Sequence, residues 1–187
     1  MSDPRLHTRL CDLVGVRYPI VQTGMGWVAG PRLAIATAKA GGLGILAAAT
    51  LTFDEMVSAI DEVRAGTDAS FGVNMRTDAD DVERRVEHLI TAEVKVASFA
   101  QAPSQATVAR LKEAGVVVIP TIGARRHAEK VAEWGVDAVI AQGTEGGGHT
   151  GVVPTSLLIP QVLDAVDLPV IAAGGFVDGR GLAAALA

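Results

Sequence analysis

Nine residues, Gly143-Thr-Glu-Gly-Gly-Gly-His-Thr-Gly151, hold five glycines and one imidazole. So few side chains leave peptide backbone bare, and a flat ligand can lie against it. His149 is the titratable group projected there, and an imidazole with a pKa of about 6.5 takes or gives a proton near neutral pH. A surface loop with an incidental histidine is the plainer alternative. A second candidate is Gly174-Gly175, directly after the apolar run Leu168-Pro-Val-Ile-Ala-Ala173. Without Cβ atoms, backbone N–H groups there approach an anion closely, and the helix start that follows adds its dipole. An ordinary tight strand-to-helix turn explains the same pair. Arg180, just beyond, either touches that anion or begins the helix in solvent.

Other candidates also follow apolar runs. Met25, between Gly24 and Gly26, offers a soft thioether to a ring system or serves as core filler. Asn74 and Gln142 each end an apolar run and carry both donors and an acceptor. That suits the polar edge of a heterocyclic ring, or a loop anchor. His7, His88 and His127 have no metal-ligand spacing and read as surface residues. Cys11 lacks an evident activating neighbour and reads as structural; as the single cysteine it excludes a disulfide framework and a cysteine metal cluster. Neither a P-loop nor a complete dinucleotide fingerprint is present, since Gly24-Met-Gly26 lacks the third glycine at the required place.

The elements that position these residues alternate. Short β-branched runs at 19–22, 43–47, 71–75, 94–99, 116–120, 137–142 and 169–173 each suit a strand buried on both faces. Helical segments lie between them. Thr52-Phe-Asp-Glu55 forms a capping box ahead of Met56, Ile60 and Val63, which share one helical face. Asp78 caps the next segment, where Val82, Val86, Leu89 and Ile90 form a stripe among the charges Glu83, Arg84, Arg85 and Glu87. Ser104 opens a third, and Gly41, Gly115 and Gly135 close helices in the left-handed conformation that glycine enters cheaply.

Alternation at this spacing means βαβ units and a parallel sheet. A doubly wound sheet and a barrel both remain in play, and the special residues decide between them. They follow several separate strands, always at the C-terminal end, as in a ring of loops around one site. In an open sheet only the loops beside the switch point need them. The expected fold is therefore an α/β protein, a (β/α)8 TIM barrel truncated after strand seven. Residues 1–187 are expected to be the N-terminal part of a single barrel domain.

Composition narrows the function. The chain has 187 residues, 49% hydrophobic, with a net charge of −5, so it can bury a core. Its pI of about 5.3 argues against nucleic acid and anionic membranes. Despite a mean hydropathy of +0.35, every apolar stretch is broken before the ~18 residues of a membrane span. No secretory signal is recognised at the start, so the expected compartment is the cytoplasm.

Together the segments YPIVQTGMGW, AGGLGIL, FGVN, AQGTEGGGHTG and VIAAGGF resemble the nitronate monooxygenase-like family of FMN-dependent (β/α)8 barrels. The resemblance covers essentially the whole chain and about the first half of a family chain. It implies noncovalent FMN and no metal. Gly24, Met25 and Gly26 would line the ring, Asn74 and Gln142 would bond its edge, and Gly147 would contact it. Gly174 and Gly175 would hold the phosphate. His149 falls on the family's catalytic histidine, the base that takes a proton from carbon beside an activating group. Two departures matter. Thr23-Gly24-Met25 stands where nitronate-oxidising members have Ala-Pro-Met, and looks more like the branch of flavin-dependent enoyl-thioester reductases and actinobacterial CoA-thioester oxidoreductases, including those of steroid-ring degradation. The eighth strand, which brings a further phosphate contact in the family, is not seen.

The resemblance thus implies an FMN-dependent oxidoreductase acting on a small molecule, either an alkyl nitronate or an acyl thioester on CoA or a carrier protein. A homo-oligomer is compatible with it. A cofactor-free remnant, whose two open sheet edges invite association, is the rival from a different class. A phosphosugar-binding barrel is the third reading, and leaves Met25 and the surroundings of Gly147 unexplained.

Overall fold

A computed structural model describes residues 4–148 and 150–187. His149, the expected base, lies outside the described residues. A first helix α1 (Arg9–Val14) precedes β1 (Val21–Gln22), and each strand is then followed by one helix. In order these are α2 (Pro31–Ala40), β2 (Leu43–Ala47), α3 (Phe53–Gly66), β3 (Phe71–Met75), α4 (Val82–Thr91), β4 (Val96–Phe99) and α5 (Gln105–Glu113). The pattern continues with β5 (Val117–Ile122), α6 (Arg125–Glu133), β6 (Val139–Gln142), α7 (Thr155–Leu163), β7 (Val170–Ala173) and α8 (Gly179–Leu186). Neighbours pair in parallel in the order β1-β2-β3-β4-β5-β6-β7.

Side chains alternate across a strand, and this splits the core in two. Leu46, Val73, Phe99, Val118, Val139 and Val170 face the helices. Leu43, Ile45, Val96, Val117, Ile119 and Ile140 face the other way into one interior cluster. Val21 of β1 and both Ile171 and Ala173 of β7 pack on that same cluster. The end strands therefore curl around a shared interior, and the arrangement is that of seven strands of a (β/α)8 barrel. From α1, Leu10 and Val14 join the interior, and Arg9 pairs with Asp167, just before β7. Helix α1 thus packs at the N-terminal ends of the strands and leaves the C-terminal ends clear.

Local signals account for most helix ends. Thr52 and Glu55 form the capping box at the start of α3, with the Glu55 carboxylate accepting from Thr52 N–H at 2.8 Å. Met56, Ile60 and Val63 are fully buried behind it, a gain of about 1.5–3 kcal/mol for each side chain of that size. Ser104 Oγ accepts from Thr107 N–H at 3.1 Å at the start of α5. Gly41, Gly115 and Gly135 all have positive φ beyond their helices.

Several expectations are corrected. Asp78 does not cap α4; it is drawn into a fork with Arg76, and the helix begins after Asp81, whose side chain makes no cap bond. Arg85 is not on the solvated face but 7% exposed. His88 is half-buried, its ring edge-on to Phe53 at 5.7 Å. Strands β1 and β7 are half-buried throughout, not covered on both faces, because they are the end strands of the sheet. Cys11 is buried, in line with a structural role. Among the described residues, no helix is long and apolar enough to cross a membrane.

Candidate functional site

The interior changes chemistry along its length. Counting in twos from the apolar residues of each strand, the last inward positions are Asn74 on β3, Ser98 on β4, Thr121 on β5 and Gln142 on β6. The register sets Ala47 beside Asn74 and Asn74 beside Ser98. A polar layer thus caps an aliphatic plug at the C-terminal end, where loops converge in barrels of this kind. Asn74 and Ser98 are buried, with Asn74 Nδ2 3.5 Å from Ser98 Oγ. Sequence reasoning found Asn74 and Gln142 but missed Ser98 and Thr121. The signal was available: each is a hydroxyl inside an apolar run, on the parity of its inward neighbours.

The first loop lies over this layer. A Cβ on Gly24 would overlap the Asn74 side chain, reaching Cγ at 2.8 Å and Oδ1 at 3.1 Å. Only glycine lets the backbone approach so closely. Met25 then begins a tight turn, its carbonyl accepting from Val28 and Ala29 N–H. Met25 is 40% exposed. Gly26 faces Thr50 of the next loop; a Cβ there would stand 3.0 Å from Thr50 Cγ2. Gly24, Met25, Gly26 and Asn74 are therefore one cluster.

A second cluster forms at β6 and β7. Gln142 Nε2 donates to Gly147 O at 2.8 Å, folding the glycine-rich loop back onto its own strand. Open space surrounds the α-carbons of Gly147 and Gly148 where a Cβ would stand. Gly143 N–H donates to Ala173 O at 3.0 Å, tying that loop to the end of β7. Gly174 and Gly175 follow with φ of +104° and +82°. A Cβ on Gly174 would lie 2.7 Å from Thr155 Oγ1 and 2.9 Å from Gly146 N. Position 174 is thus closed to side chains by both conformation and space.

Glu145, whose role the sequence did not indicate, holds this cluster together. Its carboxylate accepts from the N–H of Thr155 at 2.9 Å and from the Thr155 hydroxyl at 2.8 Å, at the first turn of α7. The N-cap residue Pro154 provides no side-chain cap, so the Glu145 carboxylate, ten residues upstream of Thr155, takes that place. The Thr155 backbone and hydroxyl bonds hold the Glu145 carboxyl down at about 2, against an ordinary 4.5.

Arg180 begins α8 in solvent, its side chain 93% exposed. Asp178 caps the helix, accepting from Arg180 N–H at 3.0 Å, and Arg180 folds its guanidinium back onto the same carboxylate. That pairing lowers the Asp178 carboxyl below its ordinary value. Asp178 thus engages both the first N–H groups of α8 and the Arg180 guanidinium, and neither is left free beside the glycine pair. Among the described residues no three His, Cys, Asp or Glu side chains group as a metal site requires.

Bare backbone, a polar inward layer and a left-handed glycine pair gather at the C-terminal strand ends of a parallel α/β barrel. Comparison with known proteins identifies which one. The signature of the family described as nitronate monooxygenase matches residues 7–85 and 79–187, and the chain belongs to that family. The family is flavin-dependent in general, and its members are oxidoreductases. The chain is 66% identical over 182 residues to the (3aS,4S,5R,7aS)-5-hydroxy-7a-methyl-1-oxo-octahydro-1H-indene-4-carboxyl-CoA dehydrogenase of Rhodococcus jostii, covering 97% of this chain and 52% of the relative. It is 31% identical to a probable nitronate monooxygenase of Staphylococcus aureus, covering 95% and 63%. Among solved structures, FabK of Thermotoga maritima superposes with a TM-score of 0.93 at 42% identity, covering 96% of this chain and 58% of that one. A nitroalkane oxidase of Streptomyces ansochromogenes gives 0.87 at 34% identity, covering 96% and 64%. The chain spans about half the length of its 66%-identical relative.

Proposed function

We propose that these strand ends bind FMN, and that residues 1–187 are the N-terminal part of one FMN-binding barrel domain of a cytoplasmic oxidoreductase. The observation that carries this reading is Gly174, where φ of +104° and contacts under 3 Å leave only backbone facing the ligand. The two clusters fit the two ends of such a molecule. Gly24, Met25 and Gly26 form one wall for the ring, with the thioether of Met25 free to lie on it. Asn74 and Gln142 bond the polar edge, and the open backbone at Gly147 accommodates the ring from the β6 side. Gly174 and Gly175 hold the phosphate with peptide N–H groups.

When bound, the flavin supplies the two-electron redox chemistry, while the protein orients the substrate and handles its proton. His149 is the group we assign to that proton, taken from carbon beside a nitro or thioester group. The Glu145–Thr155 clamp ties the loop after β6, four residues before His149 in the sequence, to the start of α7. Small-molecule substrates of two classes suit this arrangement. The family supports an alkyl nitronate. The 66% identity to a CoA-thioester dehydrogenase, together with the Gly24-Met25 form of the first loop, favours an acyl-CoA thioester.

Purification tests the reading directly. The protein should be yellow, release FMN on denaturation, and rebind it at one equivalent per chain. A colourless protein that binds no added FMN overturns it. Reduction of the flavin by an acyl-CoA, against turnover with an alkyl nitronate and oxygen, separates the substrate classes.

A further inference from the structure

Among the described residues Arg85 is the buried cation, and none of the groups assigned to the site accounts for it. It occupies a core-facing position of α4, flanked by the fully buried Val86 and Leu89. An aliphatic side chain would fill that position without the cost of burying a charge. Each guanidinium nitrogen instead has an oxygen acceptor. Nε donates to Asp81 Oδ1 at 2.7 Å, Nη1 to Ala48 O at 3.0 Å and Nη2 to Leu51 O at 2.8 Å. Its two terminal nitrogens thus grip both ends of the turn joining β2 to α3.

That turn touches both halves of the first cluster. Ala48 N–H donates to Asn74 O at 3.0 Å, and Ala47 N–H to Ala29 O at 2.8 Å in the loop after β1. Thr50, between the two gripped carbonyls, faces Gly26. One planar fork, anchored by Asp81, therefore reaches Asn74 and the Met25 loop through a single four-residue turn.

We propose that Arg85 is a positioning residue for the flavin site, pinning the 48–51 turn so that Asn74 and the Gly24–Gly26 backbone stand where the ring requires them. This rests on the FMN reading above, but concerns a residue that does not touch the ligand. Lysine keeps the charge and the Asp81 pair, yet cannot grip two carbonyls in one plane. Methionine keeps length and burial and loses every bond.

The test compares R85M, R85K and a control, R64M, in the full chain loaded with FMN. Arg64 Nη1 donates to Ala92 O at 2.9 Å, beyond the end of α4 remote from the site, so its loss weakens the fold but not the turn. Urea unfolding, FMN titration by flavin fluorescence and visible circular dichroism of the bound flavin are measured on each. R85M is expected to raise the FMN Kd about tenfold or more, the scale of a lost charged hydrogen bond, and to change the dichroism. R85K falls between, and provides the measurement if R85M does not fold. R64M lowers the urea midpoint with Kd and dichroism unchanged. A folded R85M or R85K with wild-type Kd and dichroism overturns the inference and leaves the FMN reading standing. So does an R64M that shifts Kd as far as R85M. A wild-type chain that binds no FMN overturns both.

Discussion

The carboxylate of Glu145 accepts two hydrogen bonds from one residue, Thr155, through its backbone N–H and its hydroxyl. The Thr155 hydroxyl also lies 3.5 Å from Ala173 O, and its oxygen stands against Gly174. A single threonine therefore joins the loop after β6, the start of α7 and the end of β7. The glycines of that loop can be bare because its course is set from outside by this clamp.

The clamp carries a pH signature. Folding lowers the Glu145 carboxyl from 4.5 to about 2, so the unfolded chain binds its proton at higher pH than the folded chain. The stabilisation is complete above about pH 4.5 and is lost as pH falls toward 2. A carbon-detected titration of Glu145 should show the low midpoint. Thr155→Val should raise it towards 4.5, because the hydroxyl bond is gone while the backbone bond remains.

Gly174→Ala should be poorly tolerated. Its φ of +104° and the 2.7 Å approach to Thr155 Oγ1 both oppose a Cβ, and strain of this kind costs about 1–3 kcal/mol before any repacking. Thermal unfolding should detect the loss. FMN release during gel filtration should follow, since the backbone we propose to hold the phosphate is the part displaced.

At Gly24 the obstacle is local. Alanine there collides with the Asn74 side chain, pushing it off its rotamer at a cost of about 1–3 kcal/mol. Because Asn74 is assigned to the ring edge, FMN affinity should fall about tenfold or more. Flavin fluorescence titration measures it, and an unchanged Kd would separate Asn74 from the ring.

His149→Ala in the complete protein should keep its yellow colour yet lose turnover by ~10²-fold or more, the range for a removed acid–base group. Steady-state assays with nitronate and acyl-CoA substrates decide this. Full activity in the variant would take the histidine out of the mechanism.

What the sequence determined by itself is the set of features written in short-range physics. The capping box at Thr52 and Glu55, the Ser104 cap and the left-handed glycines all depend on residues within about four positions of one another. Short apolar runs buried on both faces then placed Asn74 and Gln142 at strand ends, and β2 and β3 begin and end as expected. The tertiary structure decided what depends on distant partners. Arg85 reads as one more charge on a polar helix until the carbonyls of Ala48 and Leu51, 37 and 34 residues away, come within reach. Thr155 is silent until Glu145 folds back over the start of α7. Asp78, a sound cap by type, is taken instead by Arg76, whose charge two residues away outbids a helical N–H. A buried polar group must find its partner wherever the fold places one, and spacing along a chain does not say which donor and acceptor will meet in space.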